Sequence, residues 1–520
     1  MASAARPASP ATGAPGANAM EDQPALTARN QPLLMIGIMA ASLIQVLDTT
    51  IANVAIPHMQ STLGATSESV TWVLTSYIIA SAVAMPATGW LGDRIGARRL
   101  FIFSVAGFII ASMMCGMAQN LGEMVLFRAL QGITGAFIPP LSQSFMLDTS
   151  KPSRHPQVMA IWGLGIMIGP ILGPVLGGWL TESVNWRWVF YVNLPVGALA
   201  LAVLMTELPH REAKARKFDL FGFLMLGIAL SSLQLLLDRG AQLDWFQSLE
   251  IWIYAIVLGS TAWIAVVHFA TARAPLFDTA IFADRNFVIA LCFMAVIGVV
   301  MFANMALLPP MLQRLFGYGV IDTGIVLMPR GVGVMLSMQL SGLLMRRGFD
   351  ARIIVAAGFI IAAYSQWMMA GWSLAADQWH FIITGLIQGL GLGLVFIPLN
   401  VSAFSTLPGH LRTDGSSLLN LVRSIGASVG ISVTTVLLAR NLQTAHSDLG
   451  SHVTSATVNA VDISTVDRYQ VAGEAVLSMI DLEVNRQAAM IAYIDDFHLM
   501  MWLALAAVPL VFLMRKGSQG

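Results

Sequence analysis

The chain has 520 residues, of which 56% are apolar types and only 11% are charged. Soluble domains carry about 25% charged residues, so this composition excludes a soluble enzyme, a disordered chain and a nucleic-acid-binding protein. The 28 basic residues balance the 28 acidic ones, and the net charge therefore indicates no electrostatic partner. Cys115 and Cys292 lie in long apolar runs and offer neither a disulfide framework nor metal-ligand spacing.

Residues 1–30 are rich in Ala, Pro, Ser and Gly and are predicted to form a disordered tail rather than a signal peptide. After them, fourteen stretches are apolar and long enough to cross roughly 30 Å of hydrocarbon as helices. Such long runs exclude barrel strands, so the predicted fold class is an all-α integral membrane protein. The predicted spans, numbered in chain order, cover residues 32–56, 70–90, 100–118, 123–146, 158–180, 188–206, 219–237, 250–271, 287–308, 322–344, 352–372, 380–402, 417–439 and 498–514.

The distribution of basic residues predicts the orientation of the spans. With the N-terminus inside, nineteen of the 28 basic residues, including every lysine, fall in inner segments and six fall in outer segments. Three lie within spans. Both termini are therefore predicted to be cytoplasmic.

Span 1 contains an acidic residue, Asp48, in the run QVLDTTIANVAIP, and Gln45 lies on the same helix face. Ionisable residues inside a span are costly and are functional candidates. Because desolvation disfavours the carboxylate, Asp48 is predicted to carry a proton. The alternative is a structural Asp that bonds between helices.

The loop between spans 2 and 3 reads GWLGDRIGARR. Gly89 and Gly96 permit a tight turn, and Asp93 lies beside Arg94 and Arg98. This acidic–basic cluster is predicted to latch the two parts of the protein in one state and to release them in another. Plain positive-inside anchoring would explain the arginines but not Asp93.

Span 4 contains Arg128 in the run FRALQGITGA, at a depth similar to that of Asp48. An arginine near Asp48 would favour the carboxylate and help to eject the proton. A structural pair, or snorkelling of Arg128 to the outer surface, is the alternative.

Span 5 contains GLGIMIGPILGPVLGG, in which Gly165, Gly169, Gly173 and Gly177 recur every fourth residue. The glycines form a smooth stripe on which a neighbouring helix can pack closely, and the interleaved prolines bend the helix. We predict a moving contact; static packing is the alternative.

Two sequence echoes indicate an internal repeat. The run GWLGDRIGARR resembles GLLMRRGFDAR of the 10–11 loop, and LQGITGAFIP of span 4 resembles IQGLGLGLVFIP of span 12. Both echoes have nearly the same separation, so spans 1–6 match spans 9–14, as in many secondary transporters. The predicted organisation is a tail at 1–30, a six-helix half at 31–206, two extra helices with linkers at 207–286, and a second six-helix half at 287–520 that includes an outer loop at 440–497.

The second half contains two intramembrane arginines, Arg330 and Arg423, and the predicted spans 9–14 hold no deep acid to pair with them. They are predicted to face a cavity and attract anionic groups, or to bond backbone carbonyls. The outer loop 440–497 is net acidic, and its stretch 471–494 has helical apolar spacing. It is predicted to contain a short outer helix, against the alternative of a solvated loop without a role.

These motifs resemble those of the fourteen-span drug:proton antiporters of the major facilitator superfamily, EmrB/QacA type. LDTTIANVAIP resembles the span 1 motif, GWLGDRIGARR the 2–3 loop motif, RALQGITGA the span 4 motif and GIMIGPILGPVLGGWL the span 5 motif. LQLLLDRGAQLDWF, at 233–246, resembles the EmrB branch in particular.

The resemblance implies the major facilitator fold, with two six-helix halves and two extra central helices. It implies export of hydrophobic and amphipathic toxic compounds, with the proton gradient as energy source and no cofactor. It assigns proton coupling to Asp48 and Arg128, and a cytoplasmic gate to the 2–3 loop. The residues of the implied gate and hinge are Gly89, Asp93, Arg94, Gly96 and Arg98 for the gate, and Gly165, Gly169, Pro170, Gly173, Pro174, Gly177 and Gly178 for the hinge.

For the EmrB branch, the resemblance also implies a bacterial inner-membrane location and two partners: a periplasmic adaptor (membrane fusion) protein and an outer-membrane channel. Two other interpretations remain. One is a secondary transporter for a single physiological solute, such as a fatty acid, siderophore or metabolite. The other is a membrane enzyme or receptor, for which the sequence offers no metal motif, nucleophile constellation or nucleotide-binding loop.

Overall fold

A computed structural model describes residues 23–66, 69–211, 217–240, 242–453 and 471–514, with the side chains of 471–477 excepted. Every regular element within these ranges is a helix. This follows from the long apolar runs, because a helix satisfies its backbone hydrogen bonds internally.

The described residues form fourteen helices long and apolar enough to cross a membrane, which confirms the predicted fold class. They cover Gln31–Thr62, Ser69–Ile95, Ala97–Met117, Leu121–Asp148, Pro152–Ser183, Trp188–Glu207, Leu220–Gly240, Leu249–Thr271, Arg285–Leu315, Val320–Arg346, Ala351–Ala370, Gln378–Ser405, Gly409–Ser451 and Ser478–Leu513. We refer to them as spans 1–14.

The same helix pairs recur in the two halves of the chain. Span 1 packs against spans 5 and 6, span 3 packs against spans 4 and 6, and span 2 packs against span 4. Spans 9–14 repeat this scheme: span 9 packs against spans 13 and 14, span 11 against spans 12 and 14, and span 10 against span 12. The sequence echoes therefore reflect two six-helix sets with the same internal packing.

Spans 7 and 8 pack against each other outside this scheme. Span 7 also contacts span 2 of the first half and span 13 of the second. Span 8 is mostly exposed, with 11% of its most apolar stretch buried. The two extra helices are therefore peripheral and touch the seam between the halves.

The two halves are joined by hydrogen bonds at one end of the bundle. We call this the basic end, because four arginines lie there: Arg94 at the end of span 2, Arg98 at the start of span 3, Arg211 in the 6–7 linker and Arg412 at the start of span 13. Span 13 packs there against spans 2 and 4, while span 5 packs along span 10. Within the described residues, the hydrogen bonds between spans 1–6 and spans 9–14 lie towards this end. The protein is therefore closed at its basic end.

Two predictions about non-membrane segments are corrected. The predicted outer loop 440–497 is largely helical, because span 13 continues to Ser451 and one helix runs through Val471–Leu510. The predicted short helix 471–494 is the first part of that helix, and residues 454–470 lie outside the described ranges. A hydropathy window stops where polar residues begin, although a helix continues into water when its own hydrogen bonds and caps support it.

The predicted tail also ends earlier than expected. Residues 1–22 lie outside the described ranges, but the Leu26 amide donates to the Asp148 carbonyl at 2.8 Å. The Asn30 amide donates to Glu207 Oε2 at 2.9 Å. Residues 23–30 are therefore held against spans 4 and 6, by backbone contacts that composition does not reveal.

Candidate functional site

Asp48 of span 1 and Arg128 of span 4 form an ion pair inside the first half. Arg128 Nη1 lies 2.6 Å from Asp48 Oδ2, and both side chains are 0% exposed. Burying either charge alone would cost several kcal/mol, so each side chain compensates the other. The two residues that the sequence singled out separately thus form one site.

Two amide side chains complete the coordination of the Asp48 carboxylate. Gln131 Nε2 and Asn193 Nδ2 each donate to Asp48 Oδ1 at 2.9 Å. Arg128 also donates from Nη1 to Gln131 Oε1 at 2.8 Å and from Nε to the Val73 carbonyl at 3.1 Å. The cluster therefore ties together spans 1, 2, 4 and 6.

Aromatic rings close the site around the guanidinium. The ring of Tyr77 lies 4.5 Å from Arg128 Cζ, and that of Phe190 lies 5.7 Å from it. Gln45 Nε2 donates to the Tyr77 hydroxyl at 3.2 Å. Stacking on aromatic faces stabilises a desolvated arginine. The site is thus a fully buried polar cluster. A change of charge on Asp48 must alter several of its contacts.

Sequence analysis missed three members of this cluster: Gln131, Asn193 and Ser112, whose hydroxyl accepts from Asn193 Nδ2 at 3.0 Å. Gln131 could have been found, because it lies three residues after Arg128 on the same helix face. Asn193 and Ser112 belong to spans 6 and 3, and nothing in their local sequence indicates that they point at span 1.

The glycine stripe of span 5 faces span 1 directly behind Asp48. A Cβ atom built on Gly169 would lie 3.0 Å from the Leu47 amide nitrogen, and one on Gly177 would lie 3.0 Å from Ile51 Cγ1. At Gly173, it would overlap Thr50. Pro170 and Pro174 lie inside the same continuous helix. The backbones of spans 1 and 5 are therefore in close contact over several turns.

Gly178 differs from the stripe and faces span 10 instead. A Cβ atom there would lie 3.4 Å from Val320 Cγ1. On the opposite side of the seam, Gly324 approaches Val175 and Pro174. Span 5 thus contacts span 1 with one face and the second half with another.

The residues of the 2–3 loop lie in different surroundings, some at the interface between the halves and some within the first half. Gly89 lies at the interface between the halves, where a Cβ atom would overlap the carboxylate of Asp414 on span 13. Gly96 has a φ of +91°, which favours glycine. Arg98 bonds within the first half, donating to the Met205 carbonyl at 2.6 Å, and Arg94 is exposed.

Asp93 lines a cavity of about 440 Å³ at the basic end. Arg211, Arg273, His410 and Asp414 also line it. The cavity lies where the 2–3 loop, the linkers around spans 7 and 8 and the start of span 13 meet. Asp93 is thus placed near cationic groups other than those of its own loop.

The described ion pairs that join the halves involve a residue that the sequence analysis did not single out. Asp148, at the end of span 4, lies 2.7 Å from Arg412 of span 13 and 3.3 Å from Arg211 of the 6–7 linker. The hydroxyls of Ser144 and Thr413 lie 3.0 Å apart beside it. By sequence alone, Arg412 is one of the basic residues of the inner segments. Its ion pair depends on a neighbour in the other half, which the sequence does not reveal.

A buried network of amide and hydroxyl side chains continues from these ion pairs towards the membrane centre. We call the ion pairs and this network together the lock. Gln143 of span 4 is hydrogen bonded to Asn400 at 3.3 Å, to Asn420 at 3.0 Å and to Ser416. Arg423 Nη2 donates to Asn420 Oδ1 at 3.0 Å. Polar side chains of spans 4, 12 and 13 therefore hold the two halves together near the basic end.

Among the described residues, Arg330 and Arg423 do not share an acidic partner. Arg330 Nη2 donates to the Met301 carbonyl at 2.9 Å, and Arg423 Cζ lies 5.9 Å from the Phe396 ring. Neither belongs to an ion pair among the described residues. Arg330 thus bonds a carbonyl, and Arg423 caps the network around Gln143.

Two similar halves, closed against each other at one end, with a glycine stripe beside a buried ion pair inside the first half, define a membrane transporter of the alternating-access class. Residues 38–431 match the family model described as Major Facilitator Superfamily. The chain belongs to that superfamily and, by its relatives, to the EmrB type of exporters.

Two curated relatives cover most of the chain. The fatty acid resistance protein FarB of Neisseria gonorrhoeae is 33% identical over 95% of this chain and 97% of its own length. The multidrug export protein EmrB of Escherichia coli (strain K12) is 33% identical over 85% of this chain and 86% of its own length. The chain is thus similar in sequence to one protein named for fatty acid resistance and to one named for multidrug export.

Two solved structures share the fold. The human organic anion transporter MFSD10 (TETRAN) superposes with a TM-score of 0.57 at 14% identity, covering 91% of this chain and 99% of that one. A bacterial homolog of the human lysosomal transporter Spinster, inward-facing and unoccupied, gives a TM-score of 0.54 at 18% identity, covering 94% and 99%. At such identities, the likeness extends to the fold alone.

Proposed function

We propose that this protein is a proton-driven exporter of hydrophobic and amphipathic toxic compounds in a bacterial inner membrane, with its basic end and both termini in the cytoplasm. The observation that carries the proposal is the buried Asp48–Arg128 pair, packed behind the glycine stripe of span 5. The excess of basic residues at one end supports the orientation.

Proton binding to Asp48 acts on the whole cluster. A protonated carboxyl no longer compensates the Arg128 guanidinium, so the ion pair and the contacts from Gln131 and Asn193 must rearrange. Span 1 carries Asp48 and lies on span 5, which in turn packs along span 10 of the other half. A change of charge inside the first half is thereby transmitted to the seam between the halves.

The proton gradient supplies enough free energy for this cycle. A proton that crosses about 100 mV releases roughly 2.3 kcal/mol. Since each 1.4 kcal/mol is a factor of ten, one proton supports a substrate gradient of roughly 50-fold before any pH difference is added.

A proteoliposome assay tests the proposal. Liposomes that contain the protein are given an imposed proton gradient and a panel of lipophilic compounds, and compound movement and internal pH are followed together. We expect gradient-dependent accumulation with proton counterflow, and neither in liposomes that contain Asp48→Asn. Equal compound flux with and without the gradient would contradict proton coupling.

We further propose that the long helices of spans 13 and 14 dock a periplasmic adaptor protein, which leads to an outer-membrane channel. Both helices have 40 residues, about 60 Å of length against about 30 Å of hydrocarbon. Their extensions, away from the basic end, are joined by His446 and Asp481 at 3.2 Å. Met479 and Leu482 are 72% and 71% exposed there, an apolar surface available to a partner.

Substituting these two residues tests adaptor docking separately from transport. Met479→Glu with Leu482→Glu should lower drug resistance in a cell with two membranes and weaken adaptor co-purification. Proton-coupled transport in single-membrane liposomes should be unchanged. As a matched control, the exposed Glu483→Gln should preserve resistance. Full resistance and full co-purification of the double variant would place docking elsewhere.

The second candidate is a transporter for one amphipathic anion, such as a fatty acid. The relative named for fatty acid resistance and the two intramembrane arginines support it. Competition within the compound panel separates the candidates. Inhibition by fatty acids alone favours the dedicated transporter, whereas mutual inhibition among unrelated lipophilic compounds favours the multidrug exporter.

A further inference from the structure

The second half contains a deeply buried acid, contrary to the expectation from sequence. Asp496 of span 14 is 1% exposed. Within the described residues, neither carboxylate oxygen has a hydrogen-bond partner and no cation pairs with it. The predicted span 14 begins at residue 498, so the sequence places this acid in a loop. The structure places it inside a continuous helix packed against spans 9, 11 and 13.

Three further buried side chains of the same half have unpaired polar atoms. They are Asn304 of span 9, Gln366 of span 11 and Gln388 of span 12, each 0% exposed. Asn304 Oδ1 and both amide atoms of Gln366 and of Gln388 have no partner among the described residues. Buried polar groups are normally satisfied, and four such residues on four neighbouring helices form an unusual concentration.

These four residues point towards one region of the second half. Each lies one or two helical turns from a member of a single apolar cluster, on the same face of its helix. Those members are Leu307 for Asn304, Met369 for Gln366, Phe381 for Gln388, and Tyr493 for Asp496. The four residues therefore lie on the sides of their helices that carry this cluster, within two helical turns of it.

The cluster corresponds to the Asp48 site through the internal repeat. Asn304, Gln366 and Gln388 follow Asp48, Ser112 and Gln131 by about 255 residues each, the separation of the two sequence echoes. By helix rise, all members of both clusters lie about 21 to 29 Å from the basic end.

The helices that carry the acid and the asparagine are exchanged between the two halves. In the first half, the first helix carries Asp48 and the sixth carries Asn193, which donates to it. In the second half, the first helix carries Asn304 and the sixth carries Asp496. The position that matches Arg128 is Gly385, so the second cluster lacks the arginine.

We propose that Asp496 carries a proton in this state and that Asn304, Gln366, Gln388 and Asp496 form a second proton-binding site, in the second half. A buried carboxylate without a cation costs far more than its neutral form, and the amides can bond a protonated carboxyl as donors and acceptors. The role in transport rests on the proposed proton coupling. One state of the protein then holds Asp48 ionised and Asp496 protonated.

The other titratable groups near Asp496 do not provide a counterion. The exposed Asp495 adds a second negative charge next to it on the helix. Arg314, at the end of span 9, interacts electrostatically with Tyr493 but forms no ion pair with Asp496. Arg423 of span 13 lies at a similar depth, but it donates to Asn420 Oδ1 and belongs to no ion pair among the described residues. The other charged groups of spans 11 and 13 lie at other depths, among them Arg352, Arg412, Asp414, Arg440 and His446.

Infrared spectroscopy of the purified full chain in lipid nanodiscs, in potassium buffer near neutral pH, tests the proposal without a transported compound. A protonated carboxyl gives a carbonyl stretch that a carboxylate lacks and that shifts in D₂O. We expect such a band, its disappearance in Asp496→Asn and its persistence in Asp496→Glu. The matched control Asp495→Asn and the variant Asp48→Asn should both retain it.

An Asp496→Asn spectrum that keeps the full band would overturn the proposal. So would a band converted to carboxylate when sodium replaces potassium, because the site would then bind sodium. The Asp496→Glu variant distinguishes loss of the proton from loss of the fold, since it preserves the carboxyl group. The result is independent of the liposome assay, so failure of proton coupling and failure of this site are read separately.

Discussion

At the scale of residues, the buried pair of Asp48 and Arg128 depends on neighbours that the packing of the helices brings to it. Arg128 is surrounded by Asp48, Gln131, Tyr77 and Phe190, so removal of either charge of the pair would leave the other buried and uncompensated. Removing one partner of a buried pair costs about 3–5 kcal/mol. A proton that binds Asp48, as we propose, would therefore act on an interaction large enough to shift a conformational equilibrium.

Asp48→Asn is expected to abolish concentrative export. The amide keeps the shape of the side chain but cannot take up or release a proton, so compound movement should become independent of the gradient. Binding of the compound should persist. The measurement is accumulation in proteoliposomes under an imposed pH difference, with the exposed Asp244→Asn as the acid-to-amide control. Normal accumulation by Asp48→Asn would refute its role as proton carrier.

Arg128→Met is expected to destabilise the protein by about 3–5 kcal/mol, because it leaves the Asp48 carboxylate buried without a cation. Adding Asp48→Asn should recover most of that loss, since the second substitution removes the stranded charge. Transport should remain absent in both variants. Thermal unfolding followed by tryptophan fluorescence measures the effect. A double variant no more stable than Arg128→Met would show that the two charges are not coupled.

At the scale of the elements, spans 1 and 5 are in close contact, and we propose that this contact converts a change of charge at Asp48 into a helix movement. Gly165, Gly169, Gly173 and Gly177 bring the span 5 backbone against span 1. Small residues allow helices to approach and shift in lipid, where no hydrophobic effect holds them together. Helices this close cannot rotate past a bulky side chain.

Gly169→Leu and Gly173→Leu are each expected to collapse the transport rate while the protein still inserts. A leucine at either site would meet the span 1 backbone or Thr50, with about 1–3 kcal/mol of overpacking strain. Gly259→Leu is the matched control, because a Cβ atom at this span 8 glycine meets nothing within 4 Å. Wild-type rates for both stripe variants would show that the stripe is a static contact that tolerates larger side chains.

At the scale of the whole molecule, the halves are held together at the basic end by side chains of spans 4 and 13. Asp148 bonds Arg412 and Arg211, and Gln143 connects to Asn400, Ser416 and Asn420. Alternating access requires this region to open. The lock is polar throughout, so water can replace its contacts when the halves separate.

A disulfide across the lock is expected to stop transport. In a Cys292→Ser background, Ser144→Cys with Thr413→Cys replaces two hydroxyls 3.0 Å apart in different halves. Oxidation should abolish transport, and reduction should restore it. Ser42→Cys with Ser142→Cys is the control, since these hydroxyls lie 2.9 Å apart within one half. Transport that survives the first cross-link would show that the halves do not separate there.

The sequence by itself determined the number of spans and the repeat, and it singled out Asp48, Arg128 and the span 5 glycines as candidate site residues. The reason is that lipid penalises every charge and every unsatisfied backbone group. A stretch of about 20 residues therefore reveals a span, and a lone charge within it reveals a candidate site.

Only the tertiary structure decided which of these residues meet and what completes their sites. Asn193, Asp148 and Arg412 acquire their roles from partners more than 100 residues away, and Asp496 was hidden because its helix continues past the apolar stretch. Composition over a window does not say which face of a helix is turned to which neighbour. That choice depends on the packing of all fourteen helices, so the contacts between spans had to come from the fold.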